Sequence, residues 1–356
     1  MADPLSATPV TRRQFIRAGG IAAVGVAALG AAACQTPTTK SAQASRSPTP
    51  SPTPTPSPTP TLVPLAIIAM RRLDYPGSPL TIAQTLAPGS NYSQSIASYL
   101  SDGLRINGLL TVPRGSRPSN GWPVIIFNHG YIPPAQYRTT ERYVAYVDAL
   151  ARNGYIVFKS DYRGHGSSQG QPSSAYGMPD YTVDVLNALS TLKRFAGADP
   201  TRIGFWGHSM GGHITLRSLV ISQDIKAAAI WAGVVAPYRD LLNWHPPPAD
   251  SSPPAFNASW RVDFVKQFGT PDQNPAFWDA ISPNAFLKDV TAPVQMHHGT
   301  ADADVPLAFS QTLLQELTGL NKSAELFTYP GDNHNISNNF STAMTRSIAF
   351  FDRILK

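Results

Sequence analysis

Between residues 202 and 222 the sequence "RIGFWGHSMGGHITLRSLVIS" passes from a strand-like apolar run to a helix-like run, and the junction is Gly207-x-Ser209-x-Gly211-Gly212. A serine flanked in this way suits a very sharp turn. The glycines leave room where a strand and the next helix crowd together, while the serine takes strained backbone angles. Its hydroxyl then projects above the C-terminal edge of a sheet, beside a helix N-terminus that favours developing negative charge. Gly and Ser are common residues, so the pentapeptide gains its weight from what surrounds it.

The surroundings alternate strand and helix. Strand patterns run over 103–113, 123–130, 155–160, 202–207, 226–233, 292–299 and 324–331. Helical spacing runs over 142–154, 180–195, 213–222, 308–318 and 340–355. "PVIIFNHG" (123–130) is continuously apolar, as a strand buried on both faces should be. This alternation predicts an α/β fold with a mostly parallel sheet covered by helices on both faces.

A serine hydroxyl is a weak nucleophile without a base, and the base needs an orienting carboxylate. On a sheet of this kind the acid and then the base follow the nucleophile in chain order. Of the eight histidines, only His334, in "YPGDNHNI" just past the last strand, follows a suitable acid after the second-to-last strand. That acid is Asp302, in "HHGTADADVP" on the loop leaving 292–299; Asp304 is the alternative. Asp304 immediately precedes Val305-Pro306, where a helix begins, so helix entry is its natural role. The oxyanion needs two backbone N–H donors. They are expected from Met210, after the nucleophile, and Tyr131, in the turn after "IIFNHG". This chemistry needs no metal and no organic cofactor.

The segments "SDGLRINGLLTVP", "NHG", "DYRGHGSS", "DPTRIGFWGHSMGG", "SPNAFLKDVTAPVQMHHGTADADVP" and "YPGDNHNI" resemble, in order, the catalytic domain of the prolyl oligopeptidase family of α/β-hydrolases. They are also similar to dienelactone hydrolase-like esterases. The resemblance covers roughly residues 98–356 and implies an α/β-hydrolase fold with Ser209, Asp302 and His334 as nucleophile, acid and base. Peptidases of that family usually carry a large N-terminal β-propeller. Here residues 65–97 alone lie between a linker and the hydrolase core, too few for one.

The remaining segments set the context. "TRRQFIRAGGIAAVGVAALGAAAC" joins paired arginines to an uncharged run of 16 residues, Ala18 to Ala33. That is shorter than a spanning helix and reads as an export signal. Thr11–Arg17 closely resembles the twin-arginine motif. Cys34, the sole cysteine, resembles a bacterial lipoprotein cleavage site, although Ala31 stands where such sites usually have Leu. Residues 35–64, with Pro at alternate positions from Pro48 to Pro60, read as an extended spacer. An exported, lipid-anchored bacterial protein is therefore expected, with residues 65–356 as its catalytic domain.

The formal charge of +6 carries little meaning for function. Five of the 28 basic residues and one of the 22 acidic ones lie before residue 65, leaving 23 against 21. This excludes the nucleic-acid reading that a basic chain would invite.

Residues 234–281, rich in Trp, Phe and Pro, read either as a cap over the pocket or as a cover for exposed sheet. Trp244, Trp260 and Trp278 would line an apolar pocket or belong to the core. His129, Arg163 and His165 read as turn-fixing. The expected activity is hydrolysis of a small ester through an acyl-enzyme, with a short-peptide substrate as the alternative. A third class, a non-catalytic binding lipoprotein, fits poorly with an intact Ser209, Asp302 and His334.

Overall fold

Apolar residues that alternate along the central strands sort into two cores, one on each face of a single sheet. Val124 and Ile126 join one core while Ile125 and Phe127 join the other; Ile230 and Trp231 divide in the same way. This is the period-two geometry of a strand covered on both faces. The computed structural model describes residues 63–245 and 255–356. The expected export signal, Cys34 and nearly all of the spacer lie outside the described residues.

The strands are β1 (Thr81–Thr85), β2 (Tyr92–Ser101), β3 (Leu104–Pro113), β4 (Trp122–Asn128), β5 (Ile156–Ser160), β6 (Ala198–His208), β7 (Ala227–Trp231), β8 (Val294–Gly299) and β9 (Ala324–Tyr329). They form one nine-stranded sheet in the order β1-β2-β3-β5-β4-β6-β7-β8-β9. Pairing from β5 to β9 is parallel, and β1, β2 and β3 add to the β5 edge antiparallel. This is the α/β-hydrolase architecture, with a parallel centre as the sequence leads one to expect. β1 and β2 are additions that the sequence reading omitted.

The helices are α1 (Ile67–Met70), α2 (Val144–Arg152), α3 (Asp180–Lys193), α4 (Met210–Ile221), α5 (Tyr238–Asn243), α6 (Ala255–Phe268), α7 (Pro275–Ile281), α8 (Leu307–Gly319) and α9 (Phe340–Leu355). Residues of α2 and α9 pack in one core; those of α3, α4 and α8 pack in the other. α4 is buried along nearly its whole length, because the sheet, α3 and α1 all pack against it and its Arg217 is covered by Leu65, Tyr238 and Ile281. α5, α6 and α7 belong to the 234–281 insertion. Tyr238, Trp260 and Trp278 from these helices are buried in the α4-side core, so this part of the insertion covers the body of the protein.

Both β5 and β6 flank β4, so the chain leaves β4 first to one side and then to the other. The C-terminal ends of strands at such a switch point form a crevice where ligands bind in open α/β sheets. β6 ends there at His208.

Candidate active site

β6 ends at His208 and α4 begins at Met210, so Ser209 alone makes the turn. Its backbone sits at φ 55° and ψ −120°, a region side chains adopt only when the surroundings impose it. The Ser209 N–H donates to the Trp231 carbonyl at 3.0 Å, and its carbonyl accepts from Gly212 at 2.9 Å and Val234 at 3.1 Å. The glycines are a matter of contact. A Cβ on Gly211 would lie 1.9 Å from the Asn128 carbonyl oxygen, and one on Gly207 would lie 2.4 Å from Thr215 Oγ1.

The turn after β4 presses against this elbow, since a Cβ on Gly130 would come within 3.1 Å of Ser209 Cβ. Tyr131 follows directly and is half-buried; among the described residues its N–H has no hydrogen-bond acceptor. Met210 is the first residue of α4, so its N–H has no intrahelical acceptor. Both amides named from the sequence are therefore free at the loops that border Ser209. The helix N-terminus adds a favourable field for an anion.

Asp302 lies on the loop after β8, and its side chain is 1 % exposed. Oδ1 accepts from the N–H groups of Asp304 and Val305, both at 2.9 Å. Oδ2 lies 2.8 Å from His334 Nδ1 and 3.1 Å from His298 Nε2. Burial pushes this carboxyl up, but the hydrogen bonds from His298, His334 and the amides outweigh it and hold it well below the usual range. The ionised Asp302 accepts a hydrogen bond from His334 Nδ1–H, which keeps the ring proton on Nδ1 and leaves Nε2 as the basic nitrogen. Asp304 is exposed and serves the loop through its backbone. The structure thus pairs Asp302, not Asp304, with His334.

His334 sits on the loop after β9. Asp332 organises that loop by accepting from the N–H groups of Asn333, Asn338 and Asn339. Its carbonyl accepts from Ala301 at 2.9 Å, which ties the base loop to the acid loop. The His334 carbonyl lies 3.0 Å from His208 Nε2, and the two rings are 4.6 Å apart. Burial first, then the neighbouring His334, pushes the His208 imidazole down to about 3, so it is neutral. Among the described residues the Ser209 hydroxyl makes no hydrogen bond, to His334 or otherwise. Such bonds are often long in substrate-free sites and tighten on binding.

Asp302, Asp304 and His334 also bring potential metal-ligand atoms within 4.8 Å of one another. Asp302 Oδ2 already faces two histidine nitrogens, so the set is organised as a hydrogen-bonded pair rather than as an open cation cage.

Other residues singled out from the sequence take supporting positions. His129 is buried with its ring stacked on Tyr137 and Tyr162, and Nδ1 is 2.7 Å from the Gly130 carbonyl. Arg163 pairs with Asp184 at 2.7 Å and Asp102 at 2.9 Å, which ties its turn to α3 and to the β2–β3 turn. Trp260 and Trp278 are core residues. Trp244 is half-buried, and its Nε1 donates to the Asp304 carbonyl at 3.2 Å. The sequence reading missed His208 and His298, because the chain-order rule that selects His334 passes over histidines ahead of the acid. Their one sequence signal is position: His208 ends a buried strand next to Ser209, and His298 is the second-to-last residue of a buried strand, four before Asp302.

Residues 142–356 match the family model described as the prolyl oligopeptidase family. Among curated proteins, the "uncharacterized peptidase YuxL" of Bacillus subtilis (strain 168) is 29 % identical over 241 residues. The match covers 66 % of this chain and 34 % of that protein, so the chain spans about a third of that relative's length. Among solved structures, an acylaminoacyl peptidase from Pyrococcus horikoshii superposes with a TM-score of 0.59 at 22 % identity, covering 75 % of this chain and 42 % of the other. An acetyl xylan esterase from Paenibacillus sp. R4 superposes with a TM-score of 0.60 at 19 % identity, covering 80 % of this chain and 91 % of the other. At these identities the two structures speak to the fold.

Proposed function

The chain belongs to the prolyl oligopeptidase family of serine hydrolases, and from that premise we propose that it cleaves carboxylic esters through an acyl-enzyme on Ser209. The observation that carries the reading is the 2.8 Å bond between His334 Nδ1 and an ionised Asp302, on loops joined to the strained elbow of Ser209. Ser209 Oγ attacks the ester carbonyl as its proton passes to His334 Nε2. The amides of Met210 and Tyr131 receive the oxyanion. The carbonyl–alkoxy bond then breaks, His334 returns the proton to the departing alcohol, and water repeats the sequence to release the acid.

Ester over peptide is favoured by extent. Ahead of the hydrolase core, the described residues add only α1, β1 and β2 to the body of the domain. The acetyl xylan esterase likeness spans 91 % of its counterpart and the acylaminoacyl peptidase likeness 42 %, although the match to the "uncharacterized peptidase YtmA" of Bacillus subtilis (strain 168) spans 84 % of that protein. The runner-up, a serine peptidase with the same machinery, is supported by the naming of YuxL as a peptidase. Trp244, whose indole donates to the Asp304 carbonyl and lies edge-on to Phe309 at 5.8 Å, brings the 234–281 insertion to the acid loop and is our candidate for shaping an acyl pocket.

Export also belongs to this reading. The paired arginines at 12 and 13, Cys34 and the proline-alternating spacer support a lipid-anchored domain held away from a bacterial membrane. Replacing Cys34 by Ala should release the protein from the membrane fraction; retention would sink the anchor.

The activity is tested by fluorophosphonate labelling of the purified protein, expected in the wild type and absent in Ser209→Ala. A wild type that neither labels nor hydrolyses short p-nitrophenyl esters overturns the reading. Faster turnover of peptide anilides than of esters selects the peptidase.

A further inference from the structure

Arg142 and Tyr143 have φ of 39° and 57°. Two successive non-glycine residues in the left-handed region persist only where their surroundings impose the conformation. Here two contacts do so. Lys159, buried on β5, donates to the Arg142 carbonyl at 3.1 Å. The Tyr143 hydroxyl accepts the N–H of Gly130 at 3.0 Å and lies 2.8 Å from His208 Nδ1.

The proton positions in this chain can be assigned. A carbonyl only accepts, so His208 Nε2, 3.0 Å from the His334 carbonyl, carries the ring proton. Nδ1 is then an acceptor and receives the hydrogen bond donated by the phenol O–H, while the phenol oxygen accepts from the N–H of Gly130. Burial pushes the Tyr143 pKa well above the ordinary tyrosine range, so the phenol keeps its proton.

We propose that Tyr143 is a positioning residue whose single hydroxyl holds the oxyanion turn and, through His208, the base loop in register on either side of Ser209. Gly130 and its amide precede Tyr131, a proposed oxyanion donor, and the His208 bond fixes the backbone of His334 itself. The Tyr143 ring is also held edge-on by Phe127 at 5.4 Å and Tyr146 at 5.4 Å. Loss of the hydroxyl alone therefore leaves the ring in place.

The inference rests on Ser209 being the nucleophile, and the test separates the two. Wild type, Tyr143→Phe, His208→Phe and the double variant are compared in the full chain for fluorophosphonate labelling rate, kcat and KM on p-nitrophenyl butyrate, and Tm. Tyr143→Phe should lower kcat and labelling rate about 10- to 100-fold, the scale expected when reacting groups are misplaced. KM should change less than about threefold, and the double variant should lose little more than either single one, because both cut the same chain. A Tyr143→Phe variant with wild-type kcat and labelling rate, whatever its Tm, overturns the proposal, as do fully additive losses. If Tyr143→Phe does not fold, His208→Phe cuts the chain at its other end and carries the same test. Failure of the wild type to label would instead refute the nucleophile, and is read before any variant.

Discussion

His298 Nε2 lies 3.1 Å from the same Asp302 oxygen that His334 Nδ1 reaches at 2.8 Å, and both His298 and Asp302 are shielded from solvent. His298 Nδ1 lies 2.8 Å from Ser310 Oγ, and Nε2 also lies 3.0 Å from the Val305 carbonyl. A proton on Nε2 serves both the Asp302 carboxylate and the Val305 carbonyl, and Nδ1 meets the Ser310 hydroxyl. His298 thus holds the Asp302 carboxylate from behind while His334 meets it from the front. His298→Leu should lower kcat on the order of tenfold with little change in KM. It should also cost about 1–3 kcal/mol of stability, measured by urea unfolding, because Ser310 and Val305 lose a buried partner.

Asp302 and Asp304 are separated by substitution. In Asp302→Asn the amide can present its NH2 group to His334 and favour the wrong tautomer, so kcat should fall by roughly 10³- to 10⁴-fold. Asp304→Asn should retain kcat within about threefold. Stability should also differ with pH. The folded-state pKa of Asp302 is held below its unfolded value, so its ionised form stabilises the fold above about pH 4. That contribution is lost as pH falls through the folded value. The stability gap between wild type and Asp302→Asn should therefore narrow on acidification, and a gap that widens would contradict the assignment.

Lys159 makes a prediction of the same sign on the alkaline side. Burial pushes its ammonium down to about 8, an effect that the nearby Asp161 partly offsets. Between that value and the unfolded lysine value near 10.5, the unfolded chain binds a proton that the folded chain lacks. The lysine's contribution to stability therefore rises with pH through this window. Lys159→Met should remove that rise, so its stability relative to wild type should be higher at pH 7.5 than at pH 10.5. Chemical denaturation at the two pH values measures it.

Gly130 tests how closely the oxyanion turn is packed. A methyl group there would meet Tyr143 Oη at 2.7 Å, Ser209 Cβ at 3.1 Å and His208 Nδ1 at 3.2 Å. Gly130→Ala must push these groups apart, and overpacking of this kind costs about 1–3 kcal/mol. We expect a fall in kcat of at least about tenfold with a modest fall in Tm. Wild-type kcat would show that the turn has slack.

Much of the fold is legible because its signals are local. The continuous apolar run of β4, buried on both faces, could hardly be another element, and Gly207 and Gly211 mark a turn where any Cβ would strike backbone or a neighbouring side chain. β1 and β2 escaped for the same reason in reverse. "TIAQT" is exposed throughout, and "YSQSIASYLS" mixes polar and small residues at the sheet margin, so neither carries an apolar run. The helices of the insertion are similarly obscured, since Trp260 and Trp278 become core only once the α4 face is there to receive them.

Residue order and local sterics were enough to mark the elbow at Ser209, the parallel sheet beneath it, and His334 as the candidate base. Each of these depends on spacing and on the sterics of neighbouring residues, which any reader of the chain can see. The sequence already favoured Asp302 over Asp304, and the fold supplied the contact itself, placing the Asp302 carboxylate 2.8 Å from His334 Nδ1. Tertiary structure alone brought His298, His208 and Tyr143 to the site from the ends of three separate segments. Hydrogen bonds act over about 3 Å, and nothing in the linear order of residues records which loops the sheet will bring within that distance.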